Sequence, residues 1–114
     1  PQAYNALGYA FADRNERLLE ARQLIEKALA LATEDGFILD SMGWVLYRQG
    51  DLAGALAYLE RSYVKREDPE IAAHLGEVLW AMGRQDEARN LLLSARKNHP
   101  TNDLLSEAIR KFAP

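Results

Sequence analysis

The feature of this sequence that most restricts its fold is an internal repeat with a period of about 34 residues. Glycines recur at nearly equal spacing, at Gly8, Gly43 and Gly76. Each glycine is followed, at a nearly constant distance along the chain, by an alanine, at Ala21, Ala55 and Ala88. A repeat of this length, with apolar residues at helical spacing, is typical of stacked helical hairpins that share a continuous core.

Other positions keep the same period. Large apolar residues occur directly before each glycine and again at the third position after it, at Leu7, Met42 and Leu75 and at Phe11, Leu46 and Leu79. A later small residue is Ala28, Ser62 or Ala95, and Pro100 closes the third repeat where Thr33 and Glu67 stand in the first two. The pattern resembles the tetratricopeptide repeat (TPR) family over essentially all 114 residues.

The resemblance implies an all-α fold, a right-handed α-solenoid of three TPR helical hairpins plus a C-terminal capping helix. We expect a single domain over residues 1–114, with repeats at 1–34, 35–68 and 69–100 and the capping helix at 101–113. The sequence also marks the ends of these helices. Asp35, Asp51 and Asp68 stand where helix N-caps belong, while Gly50 and Gly83 stand where a residue with positive φ ends a helix.

Composition excludes several classes of function. The formal net charge of −3 gives no basic surface for nucleic acid, and the absence of cysteine excludes disulfides and thiolate chemistry. A helix that crosses a membrane needs about 20 apolar residues. No apolar run in this sequence approaches that length, so we expect no direct membrane contact by this chain. The start at Pro1 without methionine indicates a fragment of a longer repeat protein.

The first helix, residues 2–13, is apolar nearly all round, which suits a helix covered by neighbours. We therefore expect either further repeats before it or self-association through this N-terminal edge, with a mild cap made of alanines as the alternative. The last helix has one apolar stripe and no partner helix after it, which predicts a natural end of the repeat array.

In the TPR family the first helix of each hairpin lines a concave surface. By the 100° step of a helix, the resemblance predicts a protein-binding surface there. Its residues are Asn5, Tyr9, Phe37, Asp40, Ser41, Trp44, Tyr47, Arg48, His74, Glu77 and Trp80. Both tryptophans fall on this surface, and tryptophan, tyrosine and arginine are the types that dominate binding hot spots. The alternative is that the rings pack on the neighbouring repeat.

Some TPR proteins clamp a C-terminal carboxylate with lysine and asparagine side chains. At the corresponding sites this chain has Asn5, Tyr9, Ser41, Glu70 and His74, so the clamp is absent. An extended or helical segment of a protein partner suits the aromatic surface better.

An enzyme is not predicted. The two histidines, His74 and His99, lie on different elements, and no Ser-His-Asp set or phosphate loop is present. His74 with Glu70 and Glu77 is more often a solvated helix face than a metal site. We therefore expect no cofactor and no metal.

A closer resemblance rests on two segments, Ile38–Arg48 and Pro69–Trp80. They resemble the last repeats of proteobacterial outer-membrane TPR lipoproteins, some of which are adaptors that deliver cell-wall hydrolases to a carboxy-terminal processing protease. This implies a non-catalytic adaptor on the periplasmic face of the outer membrane, within a lipid-anchored parent. The alternatives are a structural self-association module and a cytoplasmic location.

Overall fold

The computed structural model describes residues 1–113, which form seven α-helices and no strand within that range. The helices are α1 (Gln2–Asp13), α2 (Leu18–Leu31), α3 (Gly36–Arg48), α4 (Leu52–Lys65), α5 (Pro69–Ala81), α6 (Gln85–Asn98) and α7 (Asp103–Phe112). The pairs α1–α2, α3–α4 and α5–α6 form antiparallel hairpins, and α7 follows the third. The predicted all-α arrangement of three hairpins and a final helix is confirmed.

The chain divides into two compact units. The first, Pro1–Arg66, contains α1 to α4, and the second begins at Glu67 and contains α5 to α7. In the first unit, α3 packs on both α1 and α2, and in the second unit α7 packs on both α5 and α6. The single domain with its three repeat boundaries stays a prediction.

Three aspartates begin helices, as the sequence predicts. The carboxylate of Asp35 accepts hydrogen bonds from the backbone N–H groups of Phe37 and Ile38, at 2.9 and 3.2 Å. Asp51 and Asp68 each accept one from the first turn of α4 and of α5, both at 2.9 Å. These carboxylates satisfy N–H groups that have no partner within the helix.

The turns inside the hairpins use the left-handed backbone region. Gly50 and Gly83 have φ values of +88° and +83°, as predicted for their positions. The first hairpin has no glycine there, and its turn is one residue longer. Asn15 and Arg17 adopt φ values of 55° and 51° instead, a conformation that is less favourable for residues with a Cβ atom.

The core of the first unit is formed by side chains of α1 to α4, and that of the second unit by side chains of α5 to α7. Its largest fully buried members are Ile25, Ile38, Leu39 and Leu59 in the first unit, and Ile71, Leu92 and Leu105 in the second. Along α7, Leu105, Ala108 and Ile109 are buried, which agrees with the predicted apolar stripe. No helix within residues 1–113 is both long enough and apolar enough to cross a membrane.

One core position differs from the prediction. Met42 and Leu75 are 3 % and 6 % exposed, but the equivalent Leu7 is 48 % exposed. Tyr4, one turn earlier on α1, is 40 % exposed. The reason is that α2 covers α3 within the first unit, whereas no helix of the described residues covers the corresponding side of α1. Self-association through this edge stays a prediction.

Candidate protein-binding surface

In the first unit, Arg48, the last residue of α3, contacts the end of α1. The guanidinium of Arg48 donates hydrogen bonds from Nε to the carbonyl of Ala12, at 3.1 Å, and from Nη2 to the carbonyl of Asp13, at 3.2 Å. Both acceptors lie in the last turn of α1, where carbonyl groups have no partner within the helix and the helix dipole favours a cation. Arg48 therefore links α3 to α1.

Arg48 also contacts aromatic rings of its own helix. Its guanidinium carbon lies 4.9 Å from the centre of the Trp44 ring. The Trp44 ring stacks on Tyr47, with centroids 5.0 Å apart and an angle of 28° between the planes. We call Trp44, Tyr47 and Arg48 the Arg48 cluster. Each side chain in the cluster contacts a neighbour, with Trp44 buried beneath the half-buried Tyr47 and Arg48.

Four residues of the predicted protein-binding surface are buried. Trp44 and His74 are each only 4 % exposed, and Asp40 and Ser41 are also buried. These four side chains are therefore largely covered by other residues of the chain, and their part in binding stays a prediction. The 100° step of a helix predicts the direction of these side chains, but it does not show how much of that face other side chains cover. The Ser41 hydroxyl donates to the carbonyl of Phe37 at 3.1 Å, a bond within α3.

Five of the predicted residues in the first unit keep accessible surface. Tyr47 and Arg48 are half-buried, as are Asn5 and Tyr9 on α1. Phe37, at the start of α3, is 40 % exposed. The guanidinium of Arg66, just after α4, lies 4.3 Å from the centre of the Phe37 ring and covers one of its faces.

Asn5 has a further property. Its side-chain oxygen Oδ1 is buried and accepts no hydrogen bond from the residues that the structure describes. A buried carbonyl oxygen without a donor is unfavourable by about 1–3 kcal/mol.

In the second unit, Glu77 and Trp80 are half-buried on α5. The Trp80 ring packs against Phe112 of α7, with centroids 5.7 Å apart and the planes tilted by 45°. Trp80 thus helps to hold α7 on α5, in agreement with the alternative that the rings pack on a neighbouring element. Part of its surface stays accessible.

The chemistry of these residues is that of recognition. Within residues 1–113 no group of three His, Asp or Glu side chains is placed to hold a metal ion. A pKa shift occurs away from the predicted surface, at the start of α6. Hydrogen bonds from Arg84, at 2.9 and 2.8 Å, lower the pKa of Glu87; desolvation opposes them, and the positive charge of Arg84 acts in the same direction as the hydrogen bonds.

Sequence reasoning missed the contacts that fix these side chains. The carbonyls that bind Arg48, the guanidinium over Phe37 and the ring beside Trp80 all come from distant parts of the chain. The sequence contains a signal for the contact of Arg48 with carbonyl groups, because a basic residue at the end of a helix often binds exposed carbonyls. That signal does not specify which helix supplies the carbonyl groups.

Comparison with known proteins then decides the family. A tetratricopeptide repeat family model matches residues 46–111, more than half of the chain. The chain belongs to the TPR family. TPR domains are in general non-catalytic interaction modules, and the family therefore suggests protein–protein interaction as the function.

A relative comes from a bacterium. A TPR repeat-containing protein of Pseudomonas aeruginosa is 57 % identical over 75 residues, which are 66 % of this chain and 13 % of that protein. The chain therefore spans only a small part of the length of the relative that it matches.

Solved TPR structures have the same fold. The first TPR domain of human RPAP3 is 13 % identical, with a TM-score of 0.83 over 98 % of this chain and 88 % of that one. The first TPR of Spaghetti (RPAP3), bound to the HSP90 peptide SRMEEVD, is also 13 % identical, with a TM-score of 0.82 over 98 % and 89 %. A TPR protein of Thermus thermophilus is 24 % identical, with a TM-score of 0.80 over 93 % and 62 %. At these identities the likeness shows the fold alone.

Proposed function

We propose that this chain is a non-catalytic module that binds a segment of a partner protein against the first helices of its hairpins. The Arg48 cluster carries the proposal. It places a tyrosine and an arginine, two residue types that dominate binding hot spots, on one accessible face of α3. The hydrogen bonds of Arg48 to α1 and the stacking of Trp44 on Tyr47 order these side chains before a partner arrives. Such preorganisation reduces the entropy lost on binding.

The role of Trp44 in this proposal is indirect. Because Trp44 is 4 % exposed, it supports the accessible rings and the guanidinium. Phe37, Tyr9 and Asn5 extend the accessible face along α3 and α1. Glu77 and Trp80 offer contacts on the second unit.

The partner that we propose is an extended or helical protein segment. A related fold, the first TPR of Spaghetti, is bound to an HSP90 peptide, which supports a peptide ligand in general. The residues of the carboxylate clamp are absent from the corresponding sites here, so a C-terminal carboxylate is not the proposed anchor. Aromatic rings and one guanidinium favour a segment with apolar and acidic side chains.

We further propose that the parent is a lipid-anchored adaptor on the periplasmic face of the outer membrane. Its partners would be a carboxy-terminal processing protease and cell-wall hydrolases. Two points support this proposal: the resemblance of Ile38–Arg48 and Pro69–Trp80 to lipoproteins of that type, and the identity of 57 % with a pseudomonad TPR protein.

The test uses the purified carboxy-terminal processing protease of Pseudomonas aeruginosa as the probe and measures its dissociation constant for this chain. Tyr47→Ala is expected to weaken binding at least about tenfold, because it removes a hot-spot ring. The matched control is Tyr4→Ala, which removes an exposed ring from a different face of α1. No binding by the wild type would contradict the adaptor assignment. If Tyr47→Ala and Tyr4→Ala both bound as tightly as the wild type, the assignment of the binding surface would be wrong and the adaptor assignment would stand.

A further inference from the structure

Two aromatic rings of α3 are each in contact with a guanidinium group. The guanidinium carbon of Arg66, just after α4, lies 4.3 Å from the centre of the Phe37 ring. That of Arg48 lies 4.9 Å from the centre of the Trp44 ring. Phe37 and Trp44 are seven residues apart, which is about two turns, so both rings leave the same side of α3 from Cα atoms about 10 Å apart. Two cationic groups therefore lie along one side of this helix.

The packing of the second hairpin fixes the position of Arg66. Its side-chain carbons Cγ and Cδ pack on Gly36, where a Cβ atom would stand 3.2 and 3.3 Å from them. The backbone N–H group of Arg66 donates to the carbonyl of Ser62 at 2.9 Å. The Ser62 hydroxyl in turn donates to the carbonyl of Gly36 at 2.6 Å. These contacts hold the end of α4 against the start of α3, and the guanidinium of Arg66 is thereby placed beside Phe37.

These two arginines differ from most others in the chain because no carboxylate pairs with them. Five arginines have a side-chain nitrogen 3.9 Å or less from a carboxylate oxygen, namely Arg14, Arg17, Arg61, Arg84 and Arg89. Within residues 1–113, Arg48 and Arg66 form no ion pair, although the acidic residues Asp13 and Glu67 are close by in the structure or the sequence. Their charges are therefore balanced by rings and, for Arg48, by carbonyl groups.

Both guanidinium groups keep N–H donors for a ligand. A guanidinium has five N–H groups, and stacking on a ring leaves those at its edge accessible. Arg48 uses one on Nε and one on Nη2 for the carbonyls of α1. Within the described residues the side chain of Arg66 donates no hydrogen bond. Arg66 is exposed and Arg48 is half-buried. A carboxylate is the protein group that matches such donors best, because it accepts charge-assisted and bidentate hydrogen bonds.

We propose that Arg66 is a second recognition residue beside the Arg48 cluster, and that the partner segment is extended and presents two acidic side chains, one to Arg66 and one to Arg48. This inference rests on the proposed function and names the chemistry of the segment that binds there. The predicted protein-binding surface does not include Arg66. Charge complementarity supports an acidic segment, since two cations without a carboxylate lie on one side of α3.

The spacing of the two cations sets the spacing of the acidic side chains. Arg48 comes four residues after Trp44, at the far end of α3 from Arg66, so the guanidinium groups lie somewhat further apart than the rings. In an extended segment, side chains at positions i and i+4 point to the same face and are about 13 Å apart. Nucleic acid is a poorer ligand, because two separate cations in a chain of net charge −3 do not form a basic stripe.

The experiment titrates the full, isotope-labelled chain with a nine-residue synthetic peptide that is blocked at both ends. The peptide has glutamate at its third and seventh positions and valine, threonine and alanine elsewhere, which favours an extended backbone. Amide shifts are expected to saturate, to centre on α3, and to give a dissociation constant of about 1 mM or below in low salt. The same peptide with two glutamines is expected to bind at least about fivefold more weakly.

Variants of the chain locate the two contacts. Arg66→Gln is expected to weaken binding of the glutamate peptide about two- to fivefold and to reduce its dependence on salt. The matched control is Arg96→Gln, at an exposed arginine on α6, which should bind like the wild type. Arg66→Glu should recover affinity for a peptide in which one of the two glutamates is arginine. The end at which that arginine acts then gives the direction of the bound segment.

Three results would overturn the proposal: equal affinity for the glutamate and glutamine peptides, no effect of Arg66→Gln, or no binding at about 1 mM peptide. Each of them leaves the proposed function intact if the processing protease still binds the wild type and Tyr47→Ala still weakens that binding. Failure of the proposed function is a different result, in which the protease does not bind while the glutamate peptide still responds to Arg66→Gln.

Discussion

Gly43 of α3 lies so close to Leu59 of α4 that a Cβ atom at position 43 would stand 2.6 Å from Leu59 Cγ. The same Cβ atom would stand 3.2 Å from the carbonyl oxygen of Ala55. The relationship recurs in the other hairpins, where Gly8 faces Ile25 and Gly76 faces Leu92, both at 2.7 Å. The periodic glycine is therefore a point of close approach between the two helices of each hairpin.

This contact predicts the effect of Gly43→Ala. Helix propensity alone would favour alanine by roughly 0.5–1 kcal/mol. The added methyl group overpacks the contact with Leu59 at a cost of about 1–3 kcal/mol, so we expect a net loss of up to about 2.5 kcal/mol in the free energy of unfolding. Denaturant unfolding measures the loss. In the Gly43→Ala background, Leu59→Ala should cost less than it does in the wild type, and equal costs would contradict the steric explanation.

Alanine substitutions at Trp44 and Tyr47 should have different effects on the stability of the fold and on partner affinity. Trp44→Ala removes a ring that is 4 % exposed, so we expect a loss of about 3–5 kcal/mol in the free energy of unfolding. Tyr47→Ala removes a half-buried ring and should reduce stability less while it reduces partner affinity more. Thermal unfolding of both variants measures the difference. If Trp44→Ala unfolded at the same temperature as the wild type, Trp44 would not support the cluster.

Ser62 tests a hydrogen bond between α4 and α3. Its hydroxyl is fully buried and donates to the carbonyl of Gly36, at 2.6 Å. We expect Ser62→Ala to reduce the free energy of unfolding by about 0.5–1.5 kcal/mol. The residue at this site in the other two repeats is Ala28 or Ala95, so the smaller side chain fits the hairpin. The matched control is Ser94→Ala on exposed α6 surface, which should leave stability nearly unchanged.

The sequence predicted the fold through features that act within a few residues. The N-cap of Asp35 and the positive φ of Gly50 depend on local backbone geometry, which the residue types determine. The period of the glycines also predicted which helices pair, because one small residue recurs wherever two helices approach closely. These signals were sufficient for seven helices and three hairpins within residues 1–113.

The site was predicted less well because burial depends on neighbours far along the chain. Helical periodicity predicts the direction of Trp44 and Asp40 on α3, but it carries no information about how deeply other side chains cover that face. The link from Arg48 to the carbonyls of α1 joins distant parts of the chain and needs the packed pair of helices. Leu7 shows the reverse case, since its periodic role predicts burial and the uncovered side of α1 exposes it.

Glu87 gives a prediction for the dependence of stability on pH. Arg84 lowers the pKa of Glu87 in the folded chain below the ordinary value of 4.5, chiefly through its side-chain hydrogen bonds and also through its charge. A carboxyl group with a lowered folded pKa stabilises the fold above its unfolded pKa, and this stabilisation disappears as pH falls through the folded pKa. The pair should therefore favour folding at pH 7 and lose that effect below about pH 4.5.

The measurement compares the free energy of unfolding of the wild type with that of Glu87→Gln between pH 7 and pH 3. The wild type should be the more stable protein at pH 7, and its advantage should shrink as the pH falls below 4.5. Because Glu87 and Arg84 pair at the surface, the effect should also weaken in high salt. Glu107→Gln, at an exposed acid on α7, serves as the control and should leave the pH profile unchanged. An advantage that grew on acidification would show that Arg84 does not hold Glu87 in its charged form.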